Sequence, residues 1–181
     1  GASFVLNGDG SMAHQMKDWE EEVRLTHWTR GASGWVCDPG EKSVLEPFPA
    51  DAYHAMMIGL RDYVNANRFR GVVLGVSGGI DSAICAAIAA DALGPERVWA
   101  VMLPSRFTSQ ESLDDAAQCA EMIGCRLDTI PIAPAVEAFD AMLEGSFADR
   151  EYDTTEENVQ SRIRGVTLMA LSNKFGPMLM T

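Results

Sequence analysis

Hydrophobic and polar positions follow one rhythm over the first 50 residues and another over the rest. From residue 71 onward, short apolar runs alternate with longer stretches of helical period. Val72, Val73, Leu74, Gly75 and Val76 form a run that predicts a buried strand. Residues 80–93 follow as a helix, with Ile80, Ile84 and Ile88 at i+4 steps, and Gly94-Pro95 stops it. A second strand is expected over 97–103. A helix opened by a capping box at Thr108 and Glu111 follows, through Leu113, Ala116, Ala120 and Ile123, with Gly124 as its cap. Residues 126–132 predict a third strand and 133–143 a helix, with Pro134 tolerated in its first turn. A long helix is expected from about Asp153 to Lys174, its apolar stripe formed by Val159, Ile163, Val166 and Ala170. Gly176-Pro177 ends it, and a fourth strand begins at Met178.

Strands separated by helices of this length predict an α/β fold with a doubly wound, mainly parallel sheet. The first 50 residues differ. Residues 3–6 and 12–16 predict two strands around the turn Asn7-Gly8-Asp9-Gly10, a hairpin too small to bury a core alone. Residues 29–50 are rich in Gly and Pro and read as a linker. A helix over 51–65 follows, with Asp51 as N-cap and Tyr53, Met56, Met57, Leu60 and Val64 on one face. Both ends of the 181-residue chain read as cut, so a piece of a longer polypeptide is expected.

Composition narrows the class. The net charge of −12 argues against broad nucleic-acid binding, which needs a basic surface, but not against a single phosphate site built from local donors. No apolar run approaches the roughly 20 residues of a membrane helix. Cys37, Cys85, Cys119 and Cys125 show no CxxC pair and fit no zinc spacing, which points to a reduced, cytoplasmic chain. His14, His27 and His54 have no partner at nucleophile-base spacing and take no role.

The chemistry centres on Ser77-Gly78-Gly79-Ile80-Asp81-Ser82, directly after the first buried strand. No Lys follows the glycines, so it is not a Walker A loop, and G-x-G-x-x-G is absent. Gly78 and Gly79 allow close approach to the backbone, Ser77 and Ser82 add hydroxyls, and the helix start supplies free N–H groups. Asp81 is a carboxylate beside an anion site, which makes sense with a Mg²⁺ between them. Arg106 lies past the second strand, at the next strand end after the loop. Asn158 and Arg162, at i and i+4 on the long helix, present an amide and a guanidinium on one edge.

The hexapeptide resembles the SGGxDS loop of the N-type ATP pyrophosphatases, whose members cleave ATP between the α- and β-phosphates and adenylate a substrate. Two further segments, MLPSRFTS at 102–109 and ENVQSRIRG at 157–165, are similar to those of the glutamine-dependent NAD synthetase family. Residues 2–10 resemble the last strands of its nitrilase-like glutaminase domain. The resemblance implies an adenine nucleotide alpha hydrolase-like fold over 51–181, preceded by a small β remnant of that glutaminase domain at 1–28. It implies ATP at Gly75, Val76, Ser77, Gly78, Gly79, Ile80, Asp81, Ser82 and Arg106, Mg²⁺ at Asp81, and deamido-NAD at Asn158 and Arg162. The implied reaction joins the nicotinate carboxylate of deamido-NAD to AMP, releasing pyrophosphate. Ammonia, from glutamine in the intact enzyme, then displaces AMP. No side-chain nucleophile is needed, and Cys37, in the Gly/Pro stretch, is not one. A homo-oligomer is implied for the intact enzyme, as is a T-G-N-K-S-E continuation starting at Thr181, so feeble turnover is expected of these residues alone. Two alternatives stay open: a GMP synthetase-like adenylating amidotransferase, and a non-catalytic adenine-nucleotide-binding module.

Overall fold

Val72–Gly75 (β5) carries its apolar side chains into both faces of a sheet, and the rest of the C-terminal unit is layered on it. A computed structural model describes residues 1–32 and 34–181. The chain divides into two compact units, Gly1–Ile58 and Gly59–Thr181, with the boundary inside the helix Ala50–Ala66 (α1).

In the first unit, Phe4–Leu6 (β1) and Met12–Gln15 (β2) pair antiparallel, with a bulge between Val5 and Leu6. The stretch 29–50, expected to be a linker, is structured. Trp28–Gly31 (β3) and Gly34–Cys37 (β4) form a second hairpin, with Trp28 opposite Cys37. Residues 40–43 then lie along β2: the Gln15 N–H donates to Glu41 O at 3.1 Å and the Ser43 N–H to Gln15 O at 3.0 Å. Gly and Pro content marked this stretch as irregular, but backbone bonds to β2 give it a fixed course. Asp51 is not the N-cap of α1. The helix starts one residue earlier, and Asp51 Oδ1 accepts the Ala52 N–H at 2.7 Å.

In the second unit, β5, Val98–Met102 (β6), Arg126–Thr129 (β7) and Met178–Met180 (β8) form one parallel sheet in the order β7-β6-β5-β8. The chain builds outward from β5 to β7, then returns to place β8 on the other side of β5. The strand order therefore switches at β5, the position where ligands bind in open parallel sheets. The helices Ile80–Leu93 (α2) and Gln110–Ile123 (α3) pack on one side, and Ala133–Phe147 (α4) and Thr154–Phe175 (α5) on the other. Val73, Trp99, Val101 and Leu103 meet Ile132, Val136, Ile163 and Leu168 in one buried cluster. Val72, Leu74 and Ala100 alternate to the opposite face. Among the described residues no helix is long and apolar enough to cross a membrane.

Three expected details shift. In α2 the i+4 isoleucine row is buried only at its last member: Ile80 is 78% and Ile84 46% exposed, while Ile88 faces inward with Ala86, Ala89, Ala92 and Leu93. A helix apolar on nearly every side leaves tertiary packing to choose its face. In α5 the buried positions are Gln160, Ile163 and Leu168, and Val166 is 69% exposed. The helix is thus rotated from the expected stripe. In α3 the cap is Ser109, whose Oγ accepts the Ser112 N–H at 3.2 Å, whereas Thr108 Oγ1 accepts from Ser105 N–H.

The start of α5 follows expectation. Asp153 accepts from the Thr155 N–H at 2.7 Å, and Glu156 accepts the Asp153 N–H at 2.9 Å. Hydrogen bonding from the Thr155 side chain first, and then from the Thr155 N–H, holds the Asp153 carboxyl below its ordinary 3.8. A carboxyl lowered in the folded state stabilises the fold above its unfolded value, and that contribution is lost as pH falls through the folded value. Asp153→Ala is therefore expected to lower Tm by roughly 2–4 °C at neutral pH. In thermal scans the gap to the parent chain should close below pH 3.8. A gap that stayed constant down to pH 2 would refute the cap's contribution.

Candidate functional site

Just past the end of β5 the Val76 N–H donates to Val101 O at 3.0 Å, so the chain stays in the sheet for one residue more and then turns. Gly78 makes the turn with φ +82°, a left-handed conformation. A Cβ there would lie 2.4 Å from the carbonyl oxygen of Ser112 in the first turn of α3. Glycine is required at 78 on both counts, backbone sign and space. Gly79 is extended, at φ −81° and ψ 152°, and forms the N-cap of α2 with no side-chain cap. The N–H groups of Ile80, Asp81 and Ser82 therefore open the helix as first-turn donors at its positive end.

The two serines lock this loop. Ser82 Oγ accepts the Ser77 N–H at 3.2 Å and donates to Gly79 O at 2.9 Å, and Ser77 Oγ accepts the Gly79 N–H at 3.3 Å. The hydroxyls lie 3.3 Å apart. These bonds run within the loop itself and fix the orientation of its N–H groups.

Beside the loop, at the carboxyl ends of β5 and β6, lies a cavity of about 510 Å³. Gly75, Val76 and Ser77 form one wall, and Leu103, Phe107 and Leu168 are among its other sides. Arg164 of α5 lines it too and is anchored by its Nε–H, which donates to Leu103 O at 3.2 Å. Arg164 forms no ion pair among the described residues. Its guanidinium is thus a half-buried positive charge in a largely apolar cleft, a setting that strengthens its attraction for an anion.

The expected site residues fall into three groups. Gly75, Val76 and Ser77 line the main cavity. Gly78, Gly79, Ile80 and Ser82 line a smaller one of about 220 Å³ against α3, where Asp115 and Cys119 also sit. Asp81 is exposed in the first turn of α2 and lines neither. Arg106 lies elsewhere, in a cavity of about 200 Å³ with Asp140, Glu144, Tyr152 and Glu156. Its guanidinium carbon sits 4.8 Å from the centre of the Phe107 ring. Asn158 and Arg162 are exposed and bond each other, Arg162 Nη1 to Asn158 Oδ1 at 3.3 Å, and neither lines these three cavities.

Arg164 was missed, along with the α3 serines Ser109 and Ser112 at the cavity wall. The signal for Arg164 was present: it stands four residues after Gln160 and one after Ile163, the positions that α5 buries. No group of three or more His, Cys, Asp or Glu able to hold a metal occurs among the described residues. A Mg²⁺ held by phosphates and one or two carboxylates needs no such group, and Asp81 at the loop fits that role.

A parallel sheet whose strand order switches beside a glycine loop, with an uncapped helix opening there, is an architecture that places helix donors at the ligand position of an α/β domain. The chain belongs to the NAD synthase family, which matches residues 52–181. It is 53% identical over its whole length to the glutamine-dependent NAD(+) synthetase of Rhodobacter capsulatus and covers 33% of that protein. The glutamine-dependent NAD+ synthetase of Acinetobacter baumannii, solved in complex with adenosine diphosphate, superposes with a TM-score of 0.91 at 40% identity, over 98% of this chain and 34% of that one. The NMN synthetase of Francisella tularensis superposes at 0.66 with 29% identity, over 74% of this chain and 54% of that one. The chain thus spans about a third of the length of the curated glutamine-dependent relatives it matches.

Proposed function

We propose that residues 51–181 form the ATP-binding part of an enzyme that amidates deamido-NAD through an acyl-adenylate, with ammonia drawn from glutamine in the intact protein. One observation carries this reading: the preformed loop at 76–82, whose Gly78 is seated on the Ser112 carbonyl and whose α2 donors are uncapped. The likeness to a synthetase solved with ADP supports adenine nucleotide as its ligand. Residues 1–28 belong, on this reading, with the nitrilase-like glutaminase part. The four free cysteines support a reducing, cytoplasmic setting, and the intact enzyme is a homo-oligomer.

The α2 donors and the two serine hydroxyls hold the β- and γ-phosphates. Arg164 reaches the nucleotide from the other side of the cavity and neutralises charge near the α-phosphate. Asp81 would supply one carboxylate to a Mg²⁺, which would offset phosphate charge beside the loop. Arg106 contacts ATP, and Asn158 and Arg162 contact deamido-NAD. The protein's part is positioning and charge neutralisation, which is why no nucleophilic triad is called for.

Calorimetry of the chain with ATP and Mg²⁺ tests the loop. Binding is expected, and Asp81→Asn should weaken it about tenfold with Mg²⁺ and little without. Absence of binding sinks the proposal. ATP–pyrophosphate exchange then tests the substrate. It should depend on deamido-NAD and not on xanthosine monophosphate or nicotinate mononucleotide, and stimulation by either of those alone would reassign the enzyme.

A further inference from the structure

Cys119 and Cys125 stand on either side of the end of α3, and the helix terminus brings them together. The Gly124 N–H donates to Glu121 O at 3.1 Å and the Cys125 N–H to Ala120 O at 3.2 Å, with Gly124 left-handed at φ +77°. This paired turn folds the residue after the glycine back toward the side chains of the last helical turn, those of the accepting residue and the one before it. Here these are Ala120 and Cys119. Both thiols are free and half-buried. Burial pushes the Cys125 thiol up, and the neighbouring Cys119 pushes it the same way. Cys37, by contrast, is fully buried, and Cys85 lies on α2.

Two thiols at one helix end can take a soft metal or be joined as a disulfide. The first needs further ligands, and no group of three metal-binding side chains exists among the described residues. The second needs only an oxidant. Cys119 also lines the cavity of about 220 Å³ shared with Gly78, Gly79, Ile80 and Ser82, on the α3 side of the loop. A change at its sulfur is therefore felt at the loop.

We propose that Cys119 and Cys125 form a thiol–disulfide exchange site for small-molecule disulfides of the glutathione disulfide class, placed against the glycine loop. The Cys119 thiolate attacks one sulfur of glutathione disulfide, forming a mixed disulfide and releasing one glutathione thiolate. Cys125, whose raised thiol makes it the slower first attacker, then attacks Cys119 Sγ as a thiolate and releases the second glutathione. Two protein thiols are oxidised and one glutathione disulfide is reduced to two glutathiones, so the electrons balance. Because Cys119 shares its cavity with the loop, bound ATP slows the first exchange. That linkage rests on the reading of the loop as a nucleotide site.

The chain is incubated with glutathione disulfide, and the products are read by intact mass and peptide mapping. The expected product has lost two hydrogens and carries a Cys119–Cys125 crosslink. Cys125→Ser is expected to stop at a stable glutathione adduct on Cys119. A crosslink through Cys37 or Cys85, or adducts spread over all four thiols with no crosslink, overturns the proposal. ATP binding is measured separately by calorimetry. Where ATP binds, saturating nucleotide should slow modification of Cys119 about fivefold or more. Equal rates with ATP bound overturn the linkage. A crosslink formed in a chain that binds no ATP supports the exchange site and sinks only the linkage, together with the nucleotide reading it rests on.

Discussion

Gly78→Ala is expected to weaken ATP binding by about 100-fold and to lower Tm, with both effects coming from one methyl group. The backbone at 78 sits at φ +82°, where a residue with a Cβ costs about 1–2 kcal/mol. The added carbon would also lie 2.4 Å from Ser112 O and 2.9 Å from Ser112 Cα. Those are backbone atoms in the first turn of a helix, so they cannot swing aside, and the loop must lift off α3 instead. Lifting it turns the α2 donors away from the position in which Ser77 and Ser82 hold them. Gly79→Ala is the control. Its φ of −81° suits any residue, and a Cβ there would meet only Ser77 Oγ at 3.4 Å. That variant should keep its Tm and lose about tenfold in ATP affinity, because a methyl then stands where phosphate oxygens approach. If the two variants behaved alike in both calorimetry and thermal unfolding, glycine at 78 would not be serving the loop's contact with α3.

Arg164→Ala is expected to weaken ATP binding by roughly 10–100-fold, the range for losing a charge-assisted hydrogen bond in a half-buried cleft. Arg164 is anchored on Leu103 O, so its fork is already oriented and little side-chain freedom is lost when an anion binds. Arg164→Lys keeps the charge without the fork and should recover only part of the loss. Arg162→Ala, two residues away, should leave ATP affinity within about threefold, since an exposed guanidinium bonded to Asn158 is well screened. Its effect, and that of Asn158→Ala, belongs in the dependence of exchange on deamido-NAD. Equal loss of ATP affinity in Arg162→Ala and Arg164→Ala would mean that α5 turns a different face to the nucleotide.

The contrast between Arg162 and Arg164 shows where reading the chain reached its limit. The segment ENVQSRIRG was legible as functional, and both arginines are in it. Choosing between them requires the rotation of α5 about its axis. Val159, Ile163, Val166 and Ala170 make an acceptable apolar stripe on paper, but only Val159 and Ile163 of it pack into the core, together with Leu168 and Leu171, while Val166 and Ala170 are exposed. The same ambiguity left Ile80 and Ile84 of the α2 isoleucine row outside and buried Ile88 with Ala86, Ala89 and Ala92. Arg106 illustrates a different limit. Its place past a strand end was legible, but a strand end opens onto several cavities, and the course of 104–108 directs it toward α4 and α5.

By itself the sequence determined the order of strands and helices from 72 to 180, the parallel sheet, and the glycine loop at 77–82 between strand and helix. These rest on local rules: apolar runs of strand length, glycines at helix ends, and an acidic, Thr-rich start to the helix at Asp153. The family followed from short segments whose residues are read in order. Tertiary structure alone decided that 29–50 is a hairpin with a strand-like tail, because its bonds run to β2 across about 25 residues of chain. It alone decided that Gly78 rests on the carbonyl of Ser112 and that Arg164 faces the cavity. Helix rotation and loop seating are set by which side chains fill the space between layers, and that is a property of several distant segments at once.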